Sequence, residues 1–423
     1  MDEVLADEER AGGAFWAERQ FLIGNPSQLE WYPRCTIAPL LIREFIPMAT
    51  SAPTGILDAL VVGAGPAGIG TALALDAVEG LVYGVVERGD IGETFLRWPN
   101  GQHFLTPSFT GNGFGATDLN SVHPDTSPAF SLGVDYPGGA DYARYLRGVA
   151  THFSTPILRN TDVTSITTSG GLFTVQTTNG PVQSRTVIWA GGEFQTPIVP
   201  RMAGSGEADH SSEPSAWAPR DGALVIIGGY ESGIDLAVHH VMMGTSVTVI
   251  DENHPWDALS GSDPSFRLSP RTRQRLAEAQ KSGRLTLSSA GRVTGIRPNA
   301  AGDYSVAVAG SNFLQSDTRP ILATGYGHGL GPAAGLFELR ADGWPLLDDN
   351  DQSTITPGMY LAGAAIRHGG LKFCFIYKFR QRFAHVAHVI GTELGKNVDA
   401  LEAWRAAGML TDDLSCCGVE CAC

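Results

Sequence analysis

Two stretches of this chain share one pattern: an unbroken apolar, β-branched run, a glycine turn, then a helical repeat of apolar positions. The first is Asp58-Ala59-Leu60-Val61-Val62-Gly63-Ala64-Gly65-Pro66-Ala67-Gly68, followed by the helix-like run Ile69 to Ala77. A further apolar run, Leu81 to Val86, ends at the acidic Glu87. The pattern returns at Ala223-Leu224-Val225-Ile226-Ile227-Gly228-Gly229-Tyr230-Glu231-Ser232-Gly233. A helix from Ile234 to Met242 and a strand from Ser246 to Ile250 follow, and that strand ends at Asp251. Such continuous apolar strands alternate with helices where a parallel sheet is covered on both faces. Between the two stretches, Tyr142, Tyr145, Leu146 and Val149 mark an amphipathic helix. Three alternating runs, Val163–Thr168, Leu172–Thr177 and Val182–Ala190, then predict a β-meander. Its turns are Ser169-Gly170-Gly171 and Asn179-Gly180.

Both glycine turns read as dinucleotide-binding loops. In the first, Gly63 makes the tight turn, Gly65 admits a pyrophosphate close to backbone, and Gly68 lets helix pack on strand. The helix starts at Pro66, whose ring presets the first turn, and the N–H groups from Ala67 on present a positive end to phosphate. Glu87, with Arg88 beside it, stands where an acid accepts from ribose hydroxyls. The second motif places Gly228, Glu231, Ser232, Gly233 and Asp251 in the same roles. It departs at one position: Tyr230 stands where Gly65 stands in the first. Asp251 accepts from a ribose 2′-OH and repels a 2′-phosphate, which favours NADH over NADPH. Arg267, Arg271 and Arg273 lie downstream and would reverse that preference by folding back.

Composition narrows the class. The 52 glycines stand well above the usual share of roughly 7%. A formal charge of −15 disfavours a nucleic-acid or anionic-membrane surface. No apolar run reaches the roughly 18 residues of a membrane span. With no basic n-region ahead of an apolar stretch, the expected location is cytoplasmic. Four of the six cysteines crowd into the last eight residues, unlike a disulfide framework. The polar lead-in after Met48 also allows residues 1–47 to be an extension.

With two such motifs, the chain resembles the flavoproteins that carry two dinucleotide-binding domains. These are the flavin-containing monooxygenases, their metal-transporter-associated relatives, and thioredoxin-reductase-like enzymes including bacillithiol disulfide reductases. The likeness spans about residues 57 to 392. Besides the first motif, Gly206 to Ser211 resembles part of the monooxygenase fingerprint. Leu322-Ala323-Thr324-Gly325-Tyr326 resembles the chain-crossing motif, and Met359-Tyr360-Leu361-Ala362-Gly363 the late FAD strand. Departures stand beside them. Gly204 replaces the fingerprint's Phe, Pro214 its closing aromatic, and Ala364 the Asp that ends the late strand in disulfide reductases. Ala67 stands where bacillithiol disulfide reductases carry a cysteine, and no CxxC pair stands near a flavin position.

The resemblance implies an α/β fold of two Rossmann-like domains, the NAD(P)H domain inserted into a discontinuous FAD domain. The expected divisions are 1–56, 57–195, 196–298, 299–405 and a Cys-rich tail at 406–423. It implies tightly held FAD at the first motif, with Gly63, Gly65, Pro66, Ala67, Gly68, Glu87, Arg88, Trp98, Thr324, Gly325 and Gly363. NADH or NADPH would exchange at the second. The leading reaction oxygenates a small nucleophilic substrate with O2 through a hydroperoxyflavin. The alternatives are reduction of a thiol disulfide or soft metal, and metal handling or redox sensing. A homodimer is compatible with the class. Lys372, His103 and Thr106 are the candidate reactive-site residues; the Gly369–Lys372 stretch is expected to face the flavin, and Cys374 to be a buried apolar residue. Cys416, Cys417, Cys421 and Cys423 form a candidate soft-metal clamp, because thiolates select such ions.

Overall fold

The structure, a computed structural model, describes residues 55–258, 263–310 and 313–414. Its first sheet is centred on β1 (Ile56–Val62), which turns at Gly63 into α1 (Pro66–Asp76). β2 (Tyr83–Val86) lies parallel to β1, with Val61 opposite Val85. The amphipathic α2 (Gly139–His152) buries Tyr142, Tyr145, Leu146 and Val149 and leads to β3 (Ile157–Leu158) beyond β2. β4 (Val163–Ser169), β5 (Leu172–Thr177) and β6 (Gly180–Trp189) form the meander. β6 serves two sheets' worth of pairing: its first half runs antiparallel to β5, its second half parallel to β1.

The second sheet is wholly parallel. It contains β7 (Asp209–His210), then β8 (Ala223–Ile227), α3 (Glu231–Met242), β9 (Ser246–Ile250), α4 (Pro270–Lys281) and β10 (Leu285–Ser288). An antiparallel trio follows, β11 (Val293–Pro298), β12 (Tyr304–Val308) and β13 (Leu314–Ser316), before β14 (Ile321–Leu322) returns between β8 and β7. Alternation along β8 explains the trio. Leu224 and Ile226 face α3 and α4, packing on Ile234 and Leu276. Val225 and Ile227 face the other way, onto Ile296 and Val306. Each of these side chains contributes about 1.5–3 kcal/mol by leaving water, so the trio covers a face that would otherwise stay wet.

The expected division at 298/299 falls between β11 and β12, which are paired, and the second sheet runs on to Leu322. The chain rejoins the first sheet at β15 (Met359–Leu361), parallel to β6. The hairpin β16 (Arg367–His368) and β17 (Leu371–Lys372) follows, then α5 (Phe383–Glu393). One core joins the two segments, with Leu60, Ile69, Val187, Met359 and Phe383 buried together. A buried polar hub fixes the late segment. Asp351, fully enclosed, accepts from His368 Nε2 at 2.6 Å and from Arg382 Nε at 2.7 Å. Arg382 also donates to the Thr411 carbonyl at 2.7 Å, tying down the approach to the C-terminus. The tail cysteines and residues 1–54 lie outside the described residues. No described helix is long and apolar enough to cross a membrane.

Candidate functional site

At the first motif, each glycine is fixed by a different contact. Gly63 has φ +109°, and a Cβ there would lie 2.5 Å from the carbonyl of Ala190, just past β6. A Cβ at Gly68 would lie 1.8 Å from the Gly63 carbonyl, so only glycine lets α1 pack this close. Gly65 differs: its backbone is ordinary, φ −80° and ψ −172°, and a Cβ would meet nothing within 4 Å. The space beside it is open. α1 starts at Pro66 with no side-chain cap, so its first N–H groups remain for an anion. Glu87 accepts from Ala64 N at 2.7 Å and Gly89 N at 2.8 Å. Burial pushes its carboxyl up, and those two N–H groups oppose the shift.

A cavity of about 620 Å³ opens from this turn, within the usual range for small-molecule and cofactor sites. Gly63, Gly65, Pro66, Ala67, Glu87 and Arg88 line it, as do Trp98, His103, Thr106 and Gly363. Tyr230, Glu231 and Ser232 of the second motif line the same space. One wall is aromatic. Trp98 sits 5.0 Å from the Phe95 ring and 5.4 Å from Phe104, and its buried indole N–H has no partner among the described residues. His103 Nδ1 bonds the Tyr136 carbonyl at 3.0 Å. Asn120 donates to the Thr106 carbonyl at 2.9 Å, bracing that stretch of wall.

The second motif repeats the turn but not the opening. Gly228 has φ +106°, with the Ala323 carbonyl 2.3 Å from a would-be Cβ, and Gly233 approaches the Gly228 carbonyl as Gly68 does Gly63. Asp251 accepts from Gly229 N and Asn253 N, both at 2.8 Å, much as Glu87 does in the first. The space over the turn, however, holds protein. The Tyr230 hydroxyl donates to the Ser265 carbonyl at 2.9 Å. Glu231 accepts from Ser269 N and from Thr272 Oγ1. The Trp256 ring lies against Gly229, 2.3 Å from where a Cβ would stand. Residues 263–272 thus lie across the start of α3. The Asp263–Lys378 pair at 2.9 Å ties their near end to the first domain. Of the downstream arginines, Arg271 stacks over the Tyr136 ring at 4.8 Å rather than folding onto Asp251.

Other expected residues lie off the cavity. Thr324 and Gly325 pin the chain crossing: Thr324 Oγ1 donates to the Ile198 carbonyl at 2.5 Å, and Ile198 N to the Gly325 carbonyl at 2.9 Å. Lys372, expected at the reacting centre, instead sets its ammonium 4.3 Å over the Phe266 ring. The Gly369–Lys372 stretch is turned away because Leu371 of the hairpin is drawn into the core. Cys374, Phe375 and Ile376 take that place on the wall. Cys374, expected as a buried apolar residue, lines the cavity and donates to Ser265 Oγ at 3.1 Å. Burial pushes its thiol up, against the pull of Ser265 and Lys378. No cluster of three or more His, Cys, Asp or Glu suited to a metal occurs among the described residues.

Sequence reasoning missed Glu193, Phe194 and Tyr326, which all line the cavity. One signal was available. Gly191-Gly192 ends the strand beside β1, so the next residues must emerge next to the first glycine turn.

The family model of the pyridine nucleotide-disulphide oxidoreductases matches residues 60–363. The chain belongs to that family. It is 30% identical over 190 residues to an uncharacterised CzcO-like oxidoreductase from Geobacillus kaustophilus, covering 43% of this chain and 51% of that protein. The chain thus spans about half the length of that curated relative. Solved structures share the fold. A bacillithiol disulfide reductase from Staphylococcus aureus aligns with TM-score 0.66 at 20% identity, over 80% of this chain and 99% of that one. A flavin-containing monooxygenase from Stenotrophomonas maltophilia aligns with TM-score 0.62 at 18% identity, over 81% and 100%. The fold is accordingly two Rossmann-like domains, and the family implies a flavin and a nicotinamide.

Proposed function

We propose that this chain is an FAD-dependent NAD(P)H oxidoreductase of monooxygenase type, acting on a small nucleophilic substrate with O2. One observation carries the reading: a single cavity joins the open first motif to the second, and among the described residues its wall has one thiol, Cys374, where a dithiol reductase needs two. The residues present fit the cofactor. Gly65 leaves open space at an uncapped helix start for the pyrophosphate. Glu87 keeps lone pairs for ribose hydroxyls. Trp98 lines the same cavity, and its buried N–H has no partner among the described residues. When bound, flavin supplies two-electron chemistry between nicotinamide and substrate. The chain's own residues bind and orient it, and Trp98, Phe104 and Phe375 exclude water. NADH is the favoured donor, because Asp251 closes the second motif's β9. The test is a reconstituted enzyme supplied with NADH and oxygen across a panel of amines, sulfides and thiols. Oxygen uptake that yields an oxygenated product supports the reading; stoichiometric peroxide with every substrate contradicts it.

Cys374 favours one second reading, reduction of a small disulfide. NADH oxidation that depends on an added disulfide, persists without oxygen and vanishes in Cys374→Ser would establish it.

A further inference from the structure

Six carboxylates line the cavity: Glu87, Glu93, Asp162, Glu193, Glu231 and Asp235. Four are engaged. Glu87 and Glu93 accept from backbone N–H groups, Glu231 from Ser269 and Thr272, and Asp235 pairs with Arg275. Asp162 is exposed to solvent. Glu193 is half-buried on the wall and has no hydrogen bond to its carboxyl among the described residues. Its backbone is nevertheless held rigidly, since the Glu193 carbonyl accepts from Thr196 N at 3.0 Å and Thr196 Oγ1 at 3.1 Å. A carboxyl without a protein partner, carried on a held backbone at a cavity wall, is placed for what the cavity binds.

The chemistry supplies the need. Reduction of a substrate by NADH consumes a hydride and one proton. Oxygenation of a substrate by NADH and O2, with water as co-product, also consumes one proton beyond the hydride. Either reaction must bring that proton to the reactants held in the cavity. We propose that Glu193 is the proton donor of the cavity, delivering to the bound reactants the one proton that each two-electron turnover consumes. The inference rests on the reading that flavin and nicotinamide react in this cavity, and it holds for both reactions considered above.

The surroundings suit the role. Burial raises the Glu193 carboxyl to about 7, and only Arg367 pulls the other way. Arg367 cannot neutralise it by contact, because its guanidinium is committed to the Ala364 and Ile366 carbonyls and to the Trp344 ring at 3.9 Å. Tyr326 and Cys374, the other titratable groups facing it, are both held neutral by burial. A donor whose carboxyl is raised in this way carries its proton below about pH 7 and loses it above. Turnover at a fixed NADH level should therefore fall as pH rises through 7.

Glu193→Gln keeps the shape and removes the proton. In the apoprotein, infrared titration should show a protonated-carboxyl band fading with a midpoint near 7, and the variant should lack it. FAD should bind the variant as it binds the wild type, measured by quenching of flavin fluorescence. Turnover should drop by about 10²-fold or more and lose its fall above neutrality, and Glu193→Asp should restore part of it. Turnover of Glu193→Gln equal to wild type, or a wild-type band titrating in the ordinary carboxylate range, overturns the inference alone. A wild type that binds no flavin overturns the reading beneath it and the donor role with it, whatever the band does.

Discussion

Gly65→Ala separates folding from cofactor capture. The residue has φ −80° and ψ −172°, which alanine adopts without strain, and its new methyl meets no atom within 4 Å. The apoprotein should keep its stability or gain about 0.4–1 kcal/mol through a less flexible unfolded chain. The methyl projects into the open space beside the start of α1, where the pyrophosphate of FAD would lie. Crowding a tight contact by one methyl costs about 1–3 kcal/mol, so FAD should bind roughly 5- to 150-fold more weakly. Two measurements suffice: denaturant unfolding of the apoprotein and fluorescence titration with FAD. Gly68→Ala is the contrast. Its methyl would lie 1.8 Å from the Gly63 carbonyl, so that variant should fail at folding itself. A folded Gly65→Ala that binds FAD as tightly as wild type refutes the placement of the pyrophosphate. So does a variant that unfolds, since nothing in the geometry opposes the methyl.

Three further outcomes follow from the same geometry. Tyr230→Phe removes the hydrogen bond to Ser265 that holds residues 263–272 over the second motif, worth about 1 kcal/mol. Its KM for NADH should fall about fivefold, and an unchanged or higher KM contradicts the covering role. Asp351→Ala strands Arg382 in the core without its carboxylate, and loss of one partner of a buried pair costs about 3–5 kcal/mol. Urea denaturation of the apoprotein reads this directly, and a loss below about 1 kcal/mol would show the hub unimportant. Removal of residues 415–423 should leave FAD affinity unchanged, because every cavity-lining residue among the described ones lies between Val62 and Phe379; weakened binding would give the cysteine tail a part in the site.

The frame was legible because its signals are local. β1, α1 and the acid at Glu87 follow from one apolar run and one glycine turn, and the meander from alternation with two-residue turns at Gly170-Gly171 and Thr178-Asn179. What escaped depends on contacts far apart in sequence. The second sheet's return at Ile321–Leu322 follows from β14 slotting between β8 and β7, which no local pattern near 298 announces. Lys372 drew attention as a cation beside the late strand, but the hairpin buries Leu371 and so turns Lys372 onto Phe266. Tyr230 was visible as a departure from glycine. Its consequence was not, because its partner Ser265 lies 35 residues on, in a loop without periodicity. Glu193 stayed hidden among acidic residues, since its distinction is the absence of a partner.

The most direct test of the central claim is anaerobic titration of the FAD-reconstituted protein with NADH, followed in the visible spectrum. One FAD should bind per chain, and its absorbance should bleach as NADH is added in equal amount. A chain that holds no FAD after reconstitution, or holds it and leaves it oxidised with both NADH and NADPH, contradicts the account.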